Sequence, residues 1–345
     1  MNREADPIVY TPARDLLGHT APLDQRARFP LLGLPLEFRS NSAAVIAAAE
    51  ATFGRWRDLA PELIAPNDPL IVDLIVHPAQ ANEIDALPQA HFIQRVHGDW
   101  FIASSGANLL TARRGHGQAL GFVTPELVAD TAHFRYNVLE CLALLLASWR
   151  DRTPIHAGAV AHAGQAALLV GASGSGKSTL CYACARAGLS LLAEDVVYVG
   201  LREQLRLWGN PWCIHLLPDA PRFFPELAER PVQIQANGKR KLAVDLAELG
   251  ATLLHYHAER AVICLVDRHD GSASTITPIE PQEAVAALSD NLEAGFDLGS
   301  STRVVAEALA AGGAYQLGVG NDLAGAVELL RDMLGALSGQ AVHKL

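Results

Sequence analysis

Nine consecutive residues, 171–179, have the composition of a loop that wraps around phosphate groups: GASGSGKST. They contain the pattern G-x-x-x-x-G-K-S/T without a mismatch. Glycines let the backbone approach an anion closely, so that successive N–H groups and the start of the following helix face the phosphates. We therefore predict a site for the phosphates of a nucleoside triphosphate, and we call residues 171–179 the phosphate loop.

Two side chains of the phosphate loop have specific expected contacts. Lys177 would reach the β- and γ-phosphates, and the hydroxyl of Ser178 would supply one ligand to Mg²⁺. The expected cofactors are therefore ATP or another nucleoside triphosphate, together with Mg²⁺. The predicted nucleotide contacts are made by Gly171, Ala172, Ser173, Gly174, Ser175, Gly176, Lys177, Ser178 and Thr179.

Two sets of carboxylates are candidates to complete such a site. Phosphoryl transfer needs carboxylates that hold Mg²⁺ and that orient or deprotonate the nucleophile. Asp267 ends the apolar run 261–266, as in the metal-binding strand of ordinary loop ATPases, although Arg268 follows where many of these carry a glutamate. Glu194 and Asp195 end the apolar run 189–193. Neighbouring residues of a strand point to opposite faces, so both serve one site only if the strand ends or bulges there.

The elements around the phosphate loop predict an α/β sheet with helices on its faces. Apolar strands are expected at 157–162 and 166–170, and the loop opens a helix that ends near Ala187. A β run at 189–199 follows. Later strands are predicted at 205–208 and 261–267, and later helices at 281–289, 301–311 and 324–337.

The first half of the chain predicts a smaller α+β domain of unknown role. Residues 1–34 carry several Pro, Arg and Asp without clear periodicity and indicate an irregular arm. A polar break at 150–154 places the boundary, which gives domains 1–150 and 151–345. The strands expected in the first domain are 36–39, 70–76, 91–96, 100–104 and 119–123, and the helices are 41–56 and 134–149.

The composition of the chain narrows its partners and its location. It has 345 residues, of which 27 are basic and 37 acidic, and the net charge of −10 argues against nucleic acid and anionic membranes as partners. The longest apolar run, 138–149, contains Glu140 and is shorter than the roughly 20 residues of a membrane span. The acidic N-terminus has no apolar signal core, so we expect a cytoplasmic protein.

The 5 cysteines show no disulfide-like spacing, and we expect Cys181 and Cys184 to pack in the core.

Three segments in register resemble the HPr kinase/phosphorylase family, and especially its HprK-related bacterial members. They are the strand HAGAV at 156–160, the phosphate loop, and GLSLLAEDVV at 188–197. Fifteen residues lead from His156 to Gly171 and seventeen from Lys177 to Glu194, in agreement with the family. The resemblance implies a P-loop kinase domain like the C-terminal domain of HPr kinase.

The resemblance also implies roles for residues beside the phosphate loop. Glu194 stands where the family has its first aspartate, the general base that takes the proton of the acceptor hydroxyl. Asp195 stands at the second aspartate, which contacts the metal together with Ser178. His156 would lie beside the base and tune its proton affinity. Because glutamate is one methylene longer than aspartate, the choice of base between Glu194 and Asp195 stays open.

The function that follows is a Mg²⁺-dependent kinase with a hydroxyl acceptor. HprK-related kinases act in peptide modification, including lasso-peptide precursors, so serine of a peptide or protein is the expected acceptor. The R-G-x-G signature of bifunctional HPr kinases is missing, since the corresponding region 208–215 reads WGNPWCIH, which favours a kinase over a phosphorylase. Three alternatives stay open: an ATPase that uses Asp267, a nucleotide-sensing module, and a kinase of small-molecule hydroxyls. A homo-oligomer fits the resemblance, because HPr kinases assemble as hexamers.

Overall fold

The computed structural model describes residues 22–77, 92–202, 204–234, 238–250, 256–290 and 301–342. The chain is a mixed α/β protein with several sheets, and it divides into two compact units, Met1–Arg150 and Asp151–Leu345. Within the described residues, no helix combines the length and the apolar character that a membrane crossing requires.

The first unit is built around one seven-stranded sheet. Its strand order is β1-β2-β3-β7-β6-β5-β4, in which β3 runs parallel to both β2 and β7 and the other pairs are antiparallel. The elements in chain order are β1 (Gln25–Leu31), β2 (Leu34–Ser40), α1 (Ala43–Phe53), β3 (Leu70–Val76), β4 (Ile93–His97), β5 (Trp100–Ser105), β6 (Asn108–Arg113), β7 (Gln118–Val123), α2 (Pro125–Ala129), α3 (Thr131–Phe134) and α4 (Cys141–Trp149), with a π-helical segment, Arg135–Glu140, before α4.

The expected arm at residues 1–34 is wrong for its last part, because β1 is an ordered strand. Every second residue of β1 is buried, including Phe29, whose ring packs against Phe53 at 5.8 Å between centroids. The outward residues Arg26 and Arg28 are exposed, and Arg28 pairs with Glu37 on β2. These arginines hide the alternation in the sequence. Residues 1–21 lie outside the described part of the chain.

Two further differences concern β6 and the helix expected at 134–149. The strand β6 was not predicted; it pairs with β5 and β7 in the middle of an antiparallel array. The expected helix is interrupted, because it starts as α3 and passes through a π-helical segment before α4. The expected strand at 91–96 overlaps β4, and residue 91 lies outside the described residues.

The second unit holds the phosphate loop and contains three sheets. Their strand orders are β11-β9-β10-β18-β20-β19, β17-β13-β12-β8 and β14-β16-β15. In chain order the elements are β8 (Thr153–His156), β9 (Gly158–His162), β10 (Gln165–Val170), α5 (Lys177–Arg186), β11 (Ser190–Ala193), β12 (Val196–Gly200), β13 (Arg206–Gly209), β14 (Cys213–Leu216), β15 (Val232–Ile234), β16 (Arg240–Asp245), β17 (His257–Ala258), β18 (Ala261–Arg268), β19 (Thr275–Pro278), α6 (Pro281–Asp290), α7 (Ser301–Ala310), β20 (Ala314–Val319) and α8 (Leu323–Val342).

The six-stranded sheet carries helices on both faces, as the sequence predicts. The strands β10, β18 and β20 run parallel at its centre, and every residue of β10 is buried. Leu169 packs in one core with residues of α5 and α8, whereas Leu168 packs in a second core with residues of α6 and α7. A strand buried on both faces reads as a continuous apolar run, which explains why the sequence predicts β10 correctly.

The β run expected at 189–199 is two strands in two different sheets. Strand β11 pairs with β9 in the six-stranded sheet, and β12 pairs with β8 and β13 in the four-stranded sheet. The chain changes sheets at Glu194 and Asp195, the residues between the two strands. The strand therefore ends at the acidic pair, which is the condition under which both carboxylates can serve one site.

Strand β14 was not predicted, because its four residues lie in a proline-rich stretch of the sequence. It pairs with β16, and Ile214 and Leu216 pack in the same core as Leu180 of α5. This packing brings the opposite face of β14, with Cys213 and His215, into the neighbourhood of the acidic pair.

Candidate functional site

The phosphate loop connects the carboxyl end of β10 to the start of α5. Gly174 and Gly176 have φ values of +90° and +94°, a left-handed conformation that glycine adopts without strain. At Gly171 a β-carbon would lie 2.7 Å from the carbonyl oxygen of Val266 on β18, so the close approach of the two parallel strands also requires glycine. The three glycines thus have separate structural reasons to be where they are.

The other groups of the phosphate loop fit an anionic ligand. The Lys177 ammonium donates to the carbonyl oxygens of Gly171 (2.5 Å) and Ala172 (3.1 Å), which folds its side chain over the loop. The first α-helical hydrogen bond of α5 runs from Leu180 to Gly176, so the N–H groups of the preceding residues point out of the helix start. A helix start of this kind attracts phosphate. The Ser175 hydroxyl is buried without a hydrogen-bond partner among the described residues, which leaves a polar group for a ligand to satisfy.

The hydroxyl of Ser178 is held by Glu194. Ser178 Oγ donates to Glu194 Oε1 at 2.8 Å, and the Glu194 side chain is only 11% exposed. A hydroxyl that gives its proton to a carboxylate keeps its lone pairs for a cation. The pair can therefore present an oxygen ligand to a cation.

Asp195 and His156 form a second pair, which is separate from the pair of Ser178 and Glu194. His156 Nδ1 lies 3.3 Å from Asp195 Oδ1, and the Asp195 side chain is 60% exposed. The antiparallel pairing of β8 with β12, in which His156 lies opposite Val196, brings the two residues together. The imidazole of His156 thus lies beside Asp195. The family resemblance predicts instead that it lies beside the general base, for which Glu194 is the first candidate.

The imidazole beside Glu194 is that of His215, which the sequence does not identify as a site residue. His215 Nδ1 lies 3.7 Å from Glu194 Oε2, and His215 Nε2 lies 3.2 Å from Cys213 Sγ. The hydrogen bond with Cys213, followed by the one with Glu194, raises the pKa of His215 from 6.5 to about 10. A cation thus faces Glu194 at neutral pH. The only signal in the sequence is the C-x-H spacing in residues 213–215, which puts both side chains on one face of a strand.

Asp267, the alternative metal residue, lies at the carboxyl end of β18, which is the parallel neighbour of β10. It is exposed, and its carboxylate accepts a hydrogen bond of 2.9 Å from the N–H of Arg268. Ser178 donates to Glu194, on the opposite side of β10 in the strand order. The hydroxyl predicted to hold Mg²⁺ therefore pairs with the acidic pair and not with Asp267.

A Mg²⁺ ion that accompanies a triphosphate would need few ligands from the chain itself. Among the described residues, no group of three or more His, Cys, Asp and Glu side chains is placed to hold a metal ion. Mg²⁺ in nucleotide sites is bound by one or two protein ligands, with phosphate oxygens and water completing the octahedron. Ser178 with its carboxylate partner meets that requirement.

Comparisons with known proteins identify no family. No family model matches the chain, and no curated protein matches it. Among solved structures, the structure of the Hpr(Ser) kinase/phosphatase from Coxiella burnetii is similar with 12% sequence identity, over 55% of this chain and 98% of that chain, at a TM-score of 0.27. A TM-score of this size establishes neither a shared fold nor a shared activity.

Proposed function

We propose that the chain is a Mg²⁺-dependent kinase that transfers the γ-phosphoryl group of a nucleoside triphosphate to a hydroxyl acceptor, with serine of a peptide or protein as the expected class. The observation that supports the proposal is that the two neighbouring carboxylates after β11 are held differently, one of them by a residue of the phosphate loop. Glu194 is half-buried and accepts the hydrogen bond of the Ser178 hydroxyl, whereas Asp195 is exposed beside His156. A transferase needs one group at the metal and another at the acceptor, and the acidic pair supplies both.

The nucleotide would be held by the phosphate loop. The loop N–H groups and the helix start bind the phosphate oxygens, and Lys177 exchanges its contacts with the loop carbonyls for the β- and γ-phosphates. Ser178 supplies an oxygen ligand, which Glu194 orients by accepting the hydroxyl proton. Mg²⁺, when bound, neutralises charge that develops on the transferred group.

Asp195 is the group that we assign to the acceptor side. Its exposure makes it accessible to an incoming hydroxyl, and its carboxylate can take the proton of that hydroxyl as the oxygen attacks the γ-phosphorus. The bond from the γ-phosphorus to the β–γ bridging oxygen then breaks, and the nucleoside diphosphate leaves. His156, whose Nδ1 lies 3.3 Å from Asp195 Oδ1, would orient the Asp195 carboxylate. This assignment exchanges the roles that the family resemblance gives to Glu194 and Asp195.

The ATPase and the nucleotide sensor are the competing functions, and neither is favoured by a specific contact. An ATPase of the ordinary kind would use Asp267, whose carboxylate is bonded to its own neighbouring N–H group. A sensor would need no acceptor-side carboxylate, and the Asp195–His156 pair would then have no role in chemistry.

A transfer assay with γ-labelled ATP and Mg²⁺ tests the proposal. Candidate acceptors are serine-containing peptides, proteins and small hydroxyl compounds, and the same samples are assayed for free phosphate. Labelled acceptor that disappears in Asp195→Asn, with nucleotide binding retained, supports the kinase. Free phosphate without labelled acceptor that depends on Asp267 would establish the ATPase, and tight nucleotide binding without either product would establish the sensor.

A further inference from the structure

The thiol of Cys213, the imidazole of His215 and the carboxylate of Glu194 form a row of neighbouring side chains. Glu194 in turn contacts Ser178 of the phosphate loop. Cys213 Sγ lies 3.2 Å from His215 Nε2, and His215 Nδ1 lies 3.7 Å from Glu194 Oε2. The proposed kinase uses Glu194 but gives no task to the thiol. A cysteine within hydrogen-bonding distance of an imidazole that itself lies beside a carboxylate is the arrangement in which sulfur acts as a nucleophile.

The fold of β14 exposes this row while it anchors the strand. The inward residues, Ile214 and Leu216, are 0% and 1% exposed. Cys213 and His215 alternate with them and are both partly exposed, and 31% of the His215 side chain is open to solvent. Cys213 therefore lies on the partly exposed face of the strand, beside His215.

The other four cysteines of the chain are placed to be unreactive. Cys181, Cys184 and Cys264 are buried, and desolvation raises the pKa of both Cys184 and Cys264 to about 12. Cys141 is partly exposed like Cys213, yet burial of its sulfur raises its pKa from 9.0 to about 11. At neutral pH this rise lowers the thiolate fraction of Cys141 about a hundredfold.

We propose that Cys213 is a modification site for small electrophiles, hydrogen peroxide in particular, and that its modification stops phosphoryl transfer. The second half of this statement rests on the proposed kinase function. With hydrogen peroxide, the sulfur attacks one oxygen, the S–O bond forms and the O–O bond breaks. The departing hydroxide takes the thiol proton as water, so that sulfur is oxidised to sulfenic acid and the peroxide is reduced.

The modification acts on the kinase site through His215. An oxygen or a larger group on Cys213 occupies the space beside the imidazole and competes for its N–H group. His215 then no longer faces Glu194 in the same position. Since Glu194 orients the Ser178 hydroxyl, the disturbance reaches the expected Mg²⁺ ligand two contacts away.

The reactivity is tested with iodoacetamide at a limiting dose, followed by peptide mass spectrometry, without nucleotide or acceptor. We expect Cys213 to be alkylated at least about tenfold faster than Cys141, since the thiolate is the reacting form. Cys181, Cys184 and Cys264 should stay unlabelled, which shows that the protein is folded. Labelling of Cys141 as fast as Cys213 would overturn the proposal.

The dependence on the imidazole is measured in His215→Gln. Its Cys213 should react several-fold more slowly while the three buried thiols stay protected, and an unchanged rate would contradict the role of His215. If this variant unfolds, labelling of the buried thiols would reveal it. The comparison of Cys213 with Cys141 in the natural chain then still decides whether Cys213 is the reactive thiol.

The effect on transfer is measured after treatment with hydrogen peroxide. The natural chain and Cys141→Ser should lose activity and regain it with dithiothreitol, whereas Cys213→Ser should keep its activity. Equal inhibition of Cys213→Ser would disprove the regulatory half. Absence of transfer in all untreated samples would instead refute the kinase function and leave the alkylation result standing.

Discussion

Ser178 Oγ donates a hydrogen bond of 2.8 Å to Glu194 Oε1, across sixteen positions of the chain. The donor lies in the first turn of α5 and the acceptor follows the last residue of β11. This contact joins the phosphate loop to the acidic pair, and it sets Glu194 apart from Asp195, which lies beside His156. The predictions below test this division and the structure around it.

Replacing Gly176 by alanine should abolish nucleotide binding. The residue has a φ of +94°, and a side chain there costs about 1–2 kcal/mol and shifts the loop N–H groups away from the phosphates. Titration with a fluorescent ATP analogue measures the loss. Gly188→Ala is the matched control, because Gly188 has a φ of +87° and open space around it but lies beyond α5. Equal loss of affinity in both variants would mean that instability, and not loop geometry, is the cause.

The two carboxylates should differ in their dependence on Mg²⁺. Asp195→Asn should lower the transfer rate by about 10²–10⁴-fold at any Mg²⁺ concentration, which is the usual effect of losing a general base. Glu194→Gln should raise the Mg²⁺ concentration required for half-maximal activity, because the Ser178 hydroxyl loses its anionic acceptor. Initial rates over a Mg²⁺ series distinguish the variants. The opposite pattern would restore the roles implied by the family resemblance.

The stability of the protein should fall as the pH rises through the titration of His215. The pKa of His215 is raised from 6.5 to about 10, first by the hydrogen bond with Cys213. The folded state therefore binds more protons than the unfolded state between these values, so this contribution is complete below pH 6.5 and is lost by about pH 10. Urea unfolding over this range measures the slope, which should be smaller in His215→Gln.

Cys213→Ser is the control for this pH dependence. It removes the first cause of the raised pKa but keeps the imidazole, so the fall in its stability should begin at the same pH as in the natural chain but end at a lower pH. An identical pH profile in all three proteins would show that His215 does not titrate as the structure indicates.

Ile214→Ala should destabilise the second unit by about 2–5 kcal/mol, the usual result of removing a large aliphatic side chain from a core. Ile214 is fully buried between β14 and α5. The matched variant Ile234→Ala, on β15 of the same sheet, removes a side chain that is 76% exposed and should change the free energy of unfolding by no more than about 0.5 kcal/mol. Thermal unfolding of both variants compares them. Similar losses would contradict the packing of β14 against α5.

The local sequence pattern was sufficient to predict the central strand and the helices of the second unit. Strand β10, buried on both faces, reads as an apolar run, and the glycines and Lys177 that follow define the phosphate loop without any knowledge of the rest of the chain. The helices α6, α7 and α8 were also predictable from their periodicity. In contrast, β1 alternates its apolar residues with arginines, and β14 is only 4 residues long and lies in a proline-rich stretch. Only their partner strands reveal them.

The sequence by itself determined that a loop with the pattern G-x-x-x-x-G-K-S/T and an acidic pair occur at a fixed separation along the chain. Only the tertiary structure decided that Glu194 contacts Ser178 and that His156 lies beside Asp195. It also decided that His215 lies beside Glu194, with Cys213 next to His215. The physical reason is that the chain changes sheets between Ala193 and Val196, so β8 and β14 approach it through pairings distant in sequence. Side-chain direction at such a crossing depends on those neighbours and not on local propensity.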